Sequence, residues 1–565
     1  MEPVTIKRSG TALLLLLLCT LAGAHAGGEN SAAEERMNVL FLVVDDLRPA
    51  LGVYGYPGVS TPHIDRFATD GGVVFERAYC QQAVCAPSRT SFLTGRRPDT
   101  TRLYDFYSYW RQAAGNFTTL PQHFKENGYF AASIGKVFHP GIASNHTDDY
   151  PLSWSVPAYH PPTQKYKEAK VCSGPDSKLH MNLLCPIRNI SAMPGGSLPD
   201  IQSSDYAVSL LRQIAKGPGD RTRSMLPTGD PVPREPFFVG VGFHKPHVPF
   251  KFPAEYLDLY PLDKIAPPSD PNLPLGMPPV AYEPWTSLRR REDVIALNAS
   301  FPYGPLPADF QLKIRQHYHA AASYTDAMLG KVLDELDALG LRNRTIVTLI
   351  GDHGWALGEH AEWAKFNNFE VGVRVPLIVR VPGVTDSREE LAAPRFVSEF
   401  VELVDVFPTV ADLAGLPTPS TCPEDSSNVL LCTEGASFAP LLKPALGEDA
   451  APQKWKSAAF SQYPRPADQP QENSDLPHLA NITVMGYSMR TLQYRYTRWM
   501  AFDNTAFRAN WSDVRGEELY AHAGSHGDET GEDKNLAGDS GFADVVAELA
   551  DKLRRGWRAA LPPAP

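Results

Sequence analysis

The chain has 565 residues, 43% hydrophobic and 21% charged, a balance that excludes a disordered or collagen-like protein and suits a folded enzyme. Its formal net charge of −11 argues against a general nucleic-acid binder, so a polyanionic substrate would need a local basic cleft. The length accommodates roughly two to four domain-sized units.

Lys7 and Arg8 precede a short apolar run at 12–18, and Ala24-His25-Ala26 follows. This is the pattern of a secretory signal peptide over residues 1–26, too short to span a bilayer. No other segment reads as a membrane span. Seven Asn-x-Ser/Thr sequons, at Asn116, Asn145, Asn189, Asn298, Asn343, Asn481 and Asn510, agree with a secretory route and with glycosylation. Residues 38–44 read as a strand buried on both faces, ending at Asp45-Asp46. Residues 62–68 and 120–127 read as short helices. A second buried strand at 237–242 runs into His244-Lys245-Pro246-His247. Residues 308–339 have helical periodicity and stop at Gly340. The strand at 345–350 leads into Asp352-His353, a further strand covers 377–381, and a short helix covers 408–414.

Residues 216–236 and 444–456 are rich in Pro, Gly and charge and read as a surface insertion and a boundary. Strand-like stretches follow at 482–489 and 494–502, then a helix with Phe542, Val545, Val546, Leu549 and Leu553 on one face. The expected architecture is α/β: a large doubly wound, mostly parallel sheet flanked by helices over 36–445, with a smaller antiparallel sheet plus helix over 455–560. Of seven cysteines, Cys19 leaves with the signal. Cys172 with Cys185 and Cys422 with Cys432 are the economical disulfides; Cys80 and Cys85 remain.

Ligands of such a sheet sit beyond the carboxyl ends of its strands, which gathers Asp45-Asp46, His247 and Asp352-His353 at one rim. Three carboxylates and an imidazole make a metal site, and oxygen ligands suit Ca²⁺ or Mg²⁺. Residues 85–95 read Cys-Ala-Pro-Ser-Arg-Thr-Ser-Phe-Leu-Thr-Gly. Taken alone they read as a helix start, since Pro87 and Ser88 favour a first turn, and a helix N-terminus favours an anion. Their fixed positions also match C-x-P-S-R-x-x-x-L-T-G, and the chain resembles the type I sulfatases of the alkaline-phosphatase superfamily. The likeness runs from about residue 38 to about residue 540 and includes VDDLRP (44–49), GKVFHPGIASNHTDD (135–149), HKPHVPF (244–250), GDHGWALGEHAEWAK (351–365) and SQYPRPADQP (461–470).

That resemblance implies a mechanism. Cys85 would be oxidised to formylglycine by the formylglycine-generating enzyme. Asp45, Asp46, Asp352, His353 and an oxygen of the modified Cys85 would hold one Ca²⁺. Arg89 would fix the modified side chain, Lys136 would bind sulfate and His139 would act on the second hydroxyl of the hydrated aldehyde. His247 would contact sulfate and help the sugar oxygen leave, with His244 in support, and Lys365 would bind sulfate or leaving group from the opposite side. Trp355 reads equally as a sugar contact or as core, and Tyr104, Asp105 and Phe106 are candidates for the cleft rim. The GDHGWALGEH and SQYPRP stretches narrow the implied substrate to the 2-O-sulfate of terminal L-iduronate in dermatan and heparan sulfate. The implied protein is a monomer, delivered to the lysosome by a sorting receptor that reads its glycans, with site histidines protonated in that acidic compartment. Competing readings are a sulfatase of other glycosaminoglycan specificity, a phosphatase or phosphodiesterase on the same fold, and an inactive glycosaminoglycan-binding relative.

Overall fold

The computed structural model describes residues 36–174, 176–216, 236–386, 393–443, 454–522 and 531–562. The signal peptide, nearly all of the 216–236 insertion and most of the 444–456 boundary lie outside the described residues. β1 (Asn38–Val44), β2 (Val73–Tyr79), β3 (Phe130–Gly135), β4 (Phe237–Phe243), β5 (Thr345–Gly351), β6 (Arg374–Val375), β7 (Leu377–Arg380) and β8 (Arg395–Glu402) form one eight-stranded sheet. Its order is β8–β2–β7–β5–β1–β4–β3, with β6 pairing the far end of β2. β5, β1, β4 and β3 are mutually parallel, whereas β7 runs antiparallel to both neighbours.

β1, β4 and β5 are buried at every residue, as continuous Val/Ile/Leu/Phe runs require of strands covered on both faces. Alternate residues of β1 enter two cores. Leu40, Leu42 and Val44 pack with α1 (Pro62–Thr69), α3 (Pro199–Lys216) and the long α4 (Ala308–Ala338). Val39, Phe41 and Val43 pack with α2 (Cys85–Thr94) and α5 (Val406–Leu413) on the other face. The C-terminal sheet is an antiparallel run of β9 (Ala458–Arg465), β10 (Val484–Thr491), β11 (Tyr494–Asp503) and β12 (Arg508–Ala521). α6 (Ala543–Arg555) lays Leu549 and Leu553 against its Met489 and Tyr496.

The expected doubly wound sheet and C-terminal sheet plus helix are both present. β2, β3, β8, β9, β12 and α3 were not legible from periodicity. β3 (FAASIG) is mostly small residues, and β2 (VVFERAY) and β12 carry charge within the strand. α5 starts at Val406, two residues before the expected position. Both expected disulfides close, Cys172–Cys185 and Cys422–Cys432, leaving Cys80 and Cys85 free and buried. All seven sequon asparagines are exposed. No helix among the described residues is long and apolar enough to cross a membrane.

Candidate active site

Adjacent parallel strands in register end together. Val44 lies opposite Gly351 of β5 and Phe243 of β4, and Gly135 of β3 lies opposite Gly242. The next residues of each strand therefore share a rim: Asp45-Asp46, Asp352-His353, His244 to His247, and Lys136 to His139. Glycine lets β3 approach. A Cβ on Gly242 would meet the Lys136 carbonyl at 2.0 Å, and one on Gly135, whose φ is +69°, would meet Gly242 O at 2.1 Å. The Lys136 N–H donates to the Gly242 carbonyl at 2.9 Å, which turns this lysine into the rim. Asp46 adopts a left-handed φ of 59°, which Asp tolerates better than most residues. Its N–H donates to Asp352 Oδ1 at 3.0 Å, tying the ends of β1 and β5 together.

Cys85 is the first residue of α2, and the positive end of that helix faces the rim. Four groups converge on its Sγ: Lys365 Nζ at 3.1 Å, His353 Nε2 at 3.3 Å, Asp45 Oδ1 at 3.3 Å and Lys136 Nζ at 3.5 Å. Lys136 also pairs with Asp45 Oδ2 and Lys365 with Asp46 Oδ1, each at 2.5 Å. Arg89, one turn along α2, donates from Nε to Asp352 Oδ2 at 2.9 Å and from Nη2 to Asp45 Oδ1 at 3.1 Å. Its Nη1 reaches the carbonyls of Lys136 and Val137, so one guanidinium fixes β1, β3 and β5 at once.

Burial, with the Asp45 charge next, pushes the Cys85 thiol up to about 12. A thiolate nucleophile requires the opposite shift, so the unmodified cysteine is inert here. Burial also raises Asp46 to about 6 and Asp352 to about 7, despite Lys365 and Arg89. Asp45 stays well below the usual carboxylate range because the charges of Lys136, Arg89 and Lys365 outweigh its burial.

The cluster fits a hard cation. Asp45, Cys85, Asp352 and His353 bring one atom each within 4.8 Å of one another, as do Asp45, Asp46, Cys85 and His247. Asp46 Oδ2 is buried with no hydrogen-bond partner among the described residues. His353 Nδ1 donates to the Gly354 carbonyl at 3.0 Å, which leaves the Nε2 lone pair directed at the cluster.

A cavity of about 550 Å³ opens above the rim, lined by Asp45, Lys136, His139, His247, Trp355 and Lys365 among others. The residues expected to hold the metal, the sulfate and the modified cysteine are therefore brought together. His139 stacks on Phe106 with ring centroids 4.3 Å apart. His244 Nδ1 lies 3.1 Å from Asp200 Oδ1, whose carboxylate also takes the N–H groups of His244 and Lys245. Trp355 was expected either in the core or against the sugar. It is 1% exposed and stacked on Tyr318, yet it lines the cavity. Tyr104 and Asp105 do not reach the cleft. The Tyr104 hydroxyl donates to Asp99, and Asp105 accepts the N–H groups of Tyr107 and Leu479, so of that trio only Phe106 faces the cavity.

Burial first, aided by Lys136 or Lys365, holds His139, His247 and His353 well below the ordinary histidine range, which favours the neutral imidazole over the protonated form expected. Periodicity also missed the outer cavity wall, where Lys167, Arg290 and Arg291 come from the ends of short helices and Lys251 from a four-residue strand, Phe250–Pro253.

A parallel sheet whose ends present an acidic cluster beside a helix-borne cysteine, ringed by cations, defines a hydrolase for anionic esters. The sulfatase family profile matches residues 37–416, and the chain belongs to that family. It is 51% identical to iduronate 2-sulfatase of Mus musculus, over 92% of this chain and 94% of that one. It is 50% identical to iduronate 2-sulfatase of Homo sapiens, over 90% and 92%. A phosphonate monoester hydrolase from Silicibacter pomeroyi has the same fold, with TM-score 0.63 at 20% identity over 94% of this chain and 96% of that one. Family membership implies a formylglycine at the signature cysteine and a metal ion; Cys85 Sγ stands where the oxygens of formylglycine would lie.

Proposed function

We propose that this protein hydrolyses the 2-O-sulfate of terminal L-iduronate in dermatan and heparan sulfate, using formylglycine made from Cys85 and one Ca²⁺. The observation that carries this reading is the convergence of Lys365, His353, Asp45 and Lys136 on Cys85 Sγ. Relatives named iduronate 2-sulfatase, half identical over nine-tenths of the chain, support the substrate.

Asp45, Asp46, Asp352 and His353 would hold the cation, which supplies positive charge beside the sulfate oxygens. Formylglycine supplies, as its hydrate, one hydroxyl to attack sulfur and a second whose deprotonation expels sulfate. Lys136 and Lys365 flank position 85 and stabilise the charge on sulfate as it transfers. Arg89 holds the helix start against β1 and β5, so these groups need no reorganisation during the reaction. His139 is neutral with a buried, unpartnered Nδ1, and so is ready to accept a proton. His247 Nδ1 donates to the Val248 carbonyl, which leaves Nε2 unprotonated in the free enzyme. An anionic sulfate beside it offsets the cost of burial, so it gains on binding the proton it passes to the departing sugar oxygen.

Exposed sequons support a secretory route to the lysosome through a glycan-reading receptor, with the formylglycine-generating enzyme met on the way. The test is a panel of 2-, 4- and 6-sulfated uronides and hexosamines, with a phosphonate monoester beside them, at acid pH. The 2-sulfated iduronide is expected to be hydrolysed well ahead of the rest. Preference for another sulfate position, or for the phosphonate, would overturn the reading.

A further inference from the structure

The inner cavity uses its cations. Lys136 pairs with Asp45 and Lys365 with Asp46, and Lys245 donates to the carbonyls of His247 and Pro249. On the outer wall Arg291 pairs with Glu168. Two cations lining the same cavity remain, Lys167 and Arg290. Both are exposed, and among the described residues neither side chain donates a hydrogen bond or forms an ion pair.

Exposed lysines are common and usually only solvated. Lys167 differs in how its backbone is held. Lys251, 7% exposed, donates from Nζ to the carbonyls of Tyr166, Lys167 and Ala169 at 3.3, 2.6 and 3.0 Å. A buried ammonium on three consecutive-turn carbonyls is a costly arrangement for an idle loop. It fixes Lys167 over the cavity, near enough that the Lys167 charge helps depress His139. The cavity volume of about 550 Å³ lies within the roughly 300–1,000 Å³ of ligand sites, so the inner sulfate pocket does not exhaust it.

We propose that Lys167, with Arg290 lining the same cavity, forms a second anion site, which takes another negative group of the same substrate while the scissile sulfate sits at Cys85. The partner is a carboxylate or sulfate: either the carboxylate of the terminal uronate or a sulfate on the next sugar. This rests on the functional reading above and adds to it a residue that selects doubly anionic substrates.

The test compares the wild type, Lys167→Ala and Lys167→Glu on three substrates. These are iduronide 2-sulfate, the same compound with its carboxylate reduced to an alcohol, and a disaccharide with a sulfate on the second sugar. KM is expected to rise about 3-fold for Lys167→Ala and about 10-fold for Lys167→Glu on a doubly anionic substrate, the size of one exposed ion pair lost or reversed. The loss should fall on KM rather than kcat, and the inhibition constant of inorganic sulfate, which reads the inner pocket, should not move. If reduction of the carboxylate removes the dependence, the uronate is the partner; if the dependence survives reduction and needs the second-sugar sulfate, that sulfate is. An unshifted KM in Lys167→Glu on both anionic substrates overturns the second site alone, as does an equal loss of inorganic sulfate binding. Absence of wild-type turnover on all three instead overturns the functional reading.

Discussion

Two clusters of buried acids and histidine share the same ligand-like geometry and do different work. Asp45, Asp352 and His353 with Cys85 form one, and Glu370, His522 and Glu532 form the other; each set lies within 4.8 Å. In the second, arginine consumes the charge. Glu370 Oε2 meets Arg490 at 3.1 Å and also Arg495, while its Oε1 accepts from the Tyr79 hydroxyl at 2.8 Å. Glu532 meets Arg495 at 2.5 Å and accepts the Glu370 N–H at 2.8 Å. Burial would raise both acids, yet these partners bring Glu370 down to about 2 and Glu532 lower still. At the first cluster Asp352 and the adjoining Asp46 stay raised, and Asp46 Oδ2 stays unpartnered among the described residues. Proximity of donors therefore does not make a cation site. Anionic capacity left over after hydrogen bonding does, and the second cluster is a tie between β2 and the C-terminal sheet.

One conservative change applied to both clusters separates them most sharply. Glu370→Gln leaves Arg495 and Arg490 facing a neutral amide, and breaking a buried pair in this way costs about 3–5 kcal/mol. Its melting temperature should fall while activity per folded molecule survives. Asp352→Asn should do the reverse. Activity should drop by more than about 100-fold, the loss that even outer-shell partners of a metal can give, with a smaller fall in melting than for Glu370→Gln, because Arg89 keeps its pairing with Asp45 and a raised acid has been removed. Equal effects of the two changes on melting would break the comparison. Next in size, Lys136→Ala removes one ammonium 3.5 Å from Cys85 Sγ. Turnover should fall about 100- to 1,000-fold, as for an oxyanion-hole donor, with circular dichroism unaltered. Near-normal turnover would remove Lys136 from the chemistry.

The parts legible in the sequence were those with a strong local signal. β1, β4 and β5 announce themselves because both of their faces are buried, so nearly every residue is apolar. Cys85 and Arg89 lie in one contiguous signature, and the metal acids directly follow readable strands. β3 stayed hidden although it delivers Lys136, since Ala, Ser and Gly carry little periodicity. Lys136 and His139 were found through family likeness rather than through the strand. Asp200, which orients His244, sits in the first turn of a helix whose amphipathic pattern was not recognised. Lys167 and Lys251 come from segments without periodicity, and only the folded chain brings them to one wall.

The smallest expected effect concerns pH, and it sharpens the contrast between raised and lowered acids across the whole fold. Burial raises Asp326 to about 7, Glu362 to about 8 and Glu518 to about 7. Each holds its proton longer folded than unfolded, so its stabilising contribution is complete in acid and is lost as pH climbs through the raised value. Glu359, Glu370 and Glu402, drawn down to about 2, act oppositely, and their contribution is lost below about pH 4.5. Burial lowers His317 to about 4 and His319 to about 3, so both add stability as pH rises toward 6.5 and nothing beyond it. Between pH 5 and 6.5 the histidines and the raised acids oppose each other and a plateau results. Above pH 6.5 the raised acids dominate until Lys245 and Lys251, lowered by burial to about 8, begin to lose their protons, and stability should fall by about 1–3 kcal/mol by pH 8. Thermal melting across this range should show a drop of a few degrees. Glu362→Gln should flatten this arm, because it removes the acid with the highest of the three raised values. A wild-type melting temperature that keeps rising to pH 8 would show that these buried carboxyls ionise within the native state without cost.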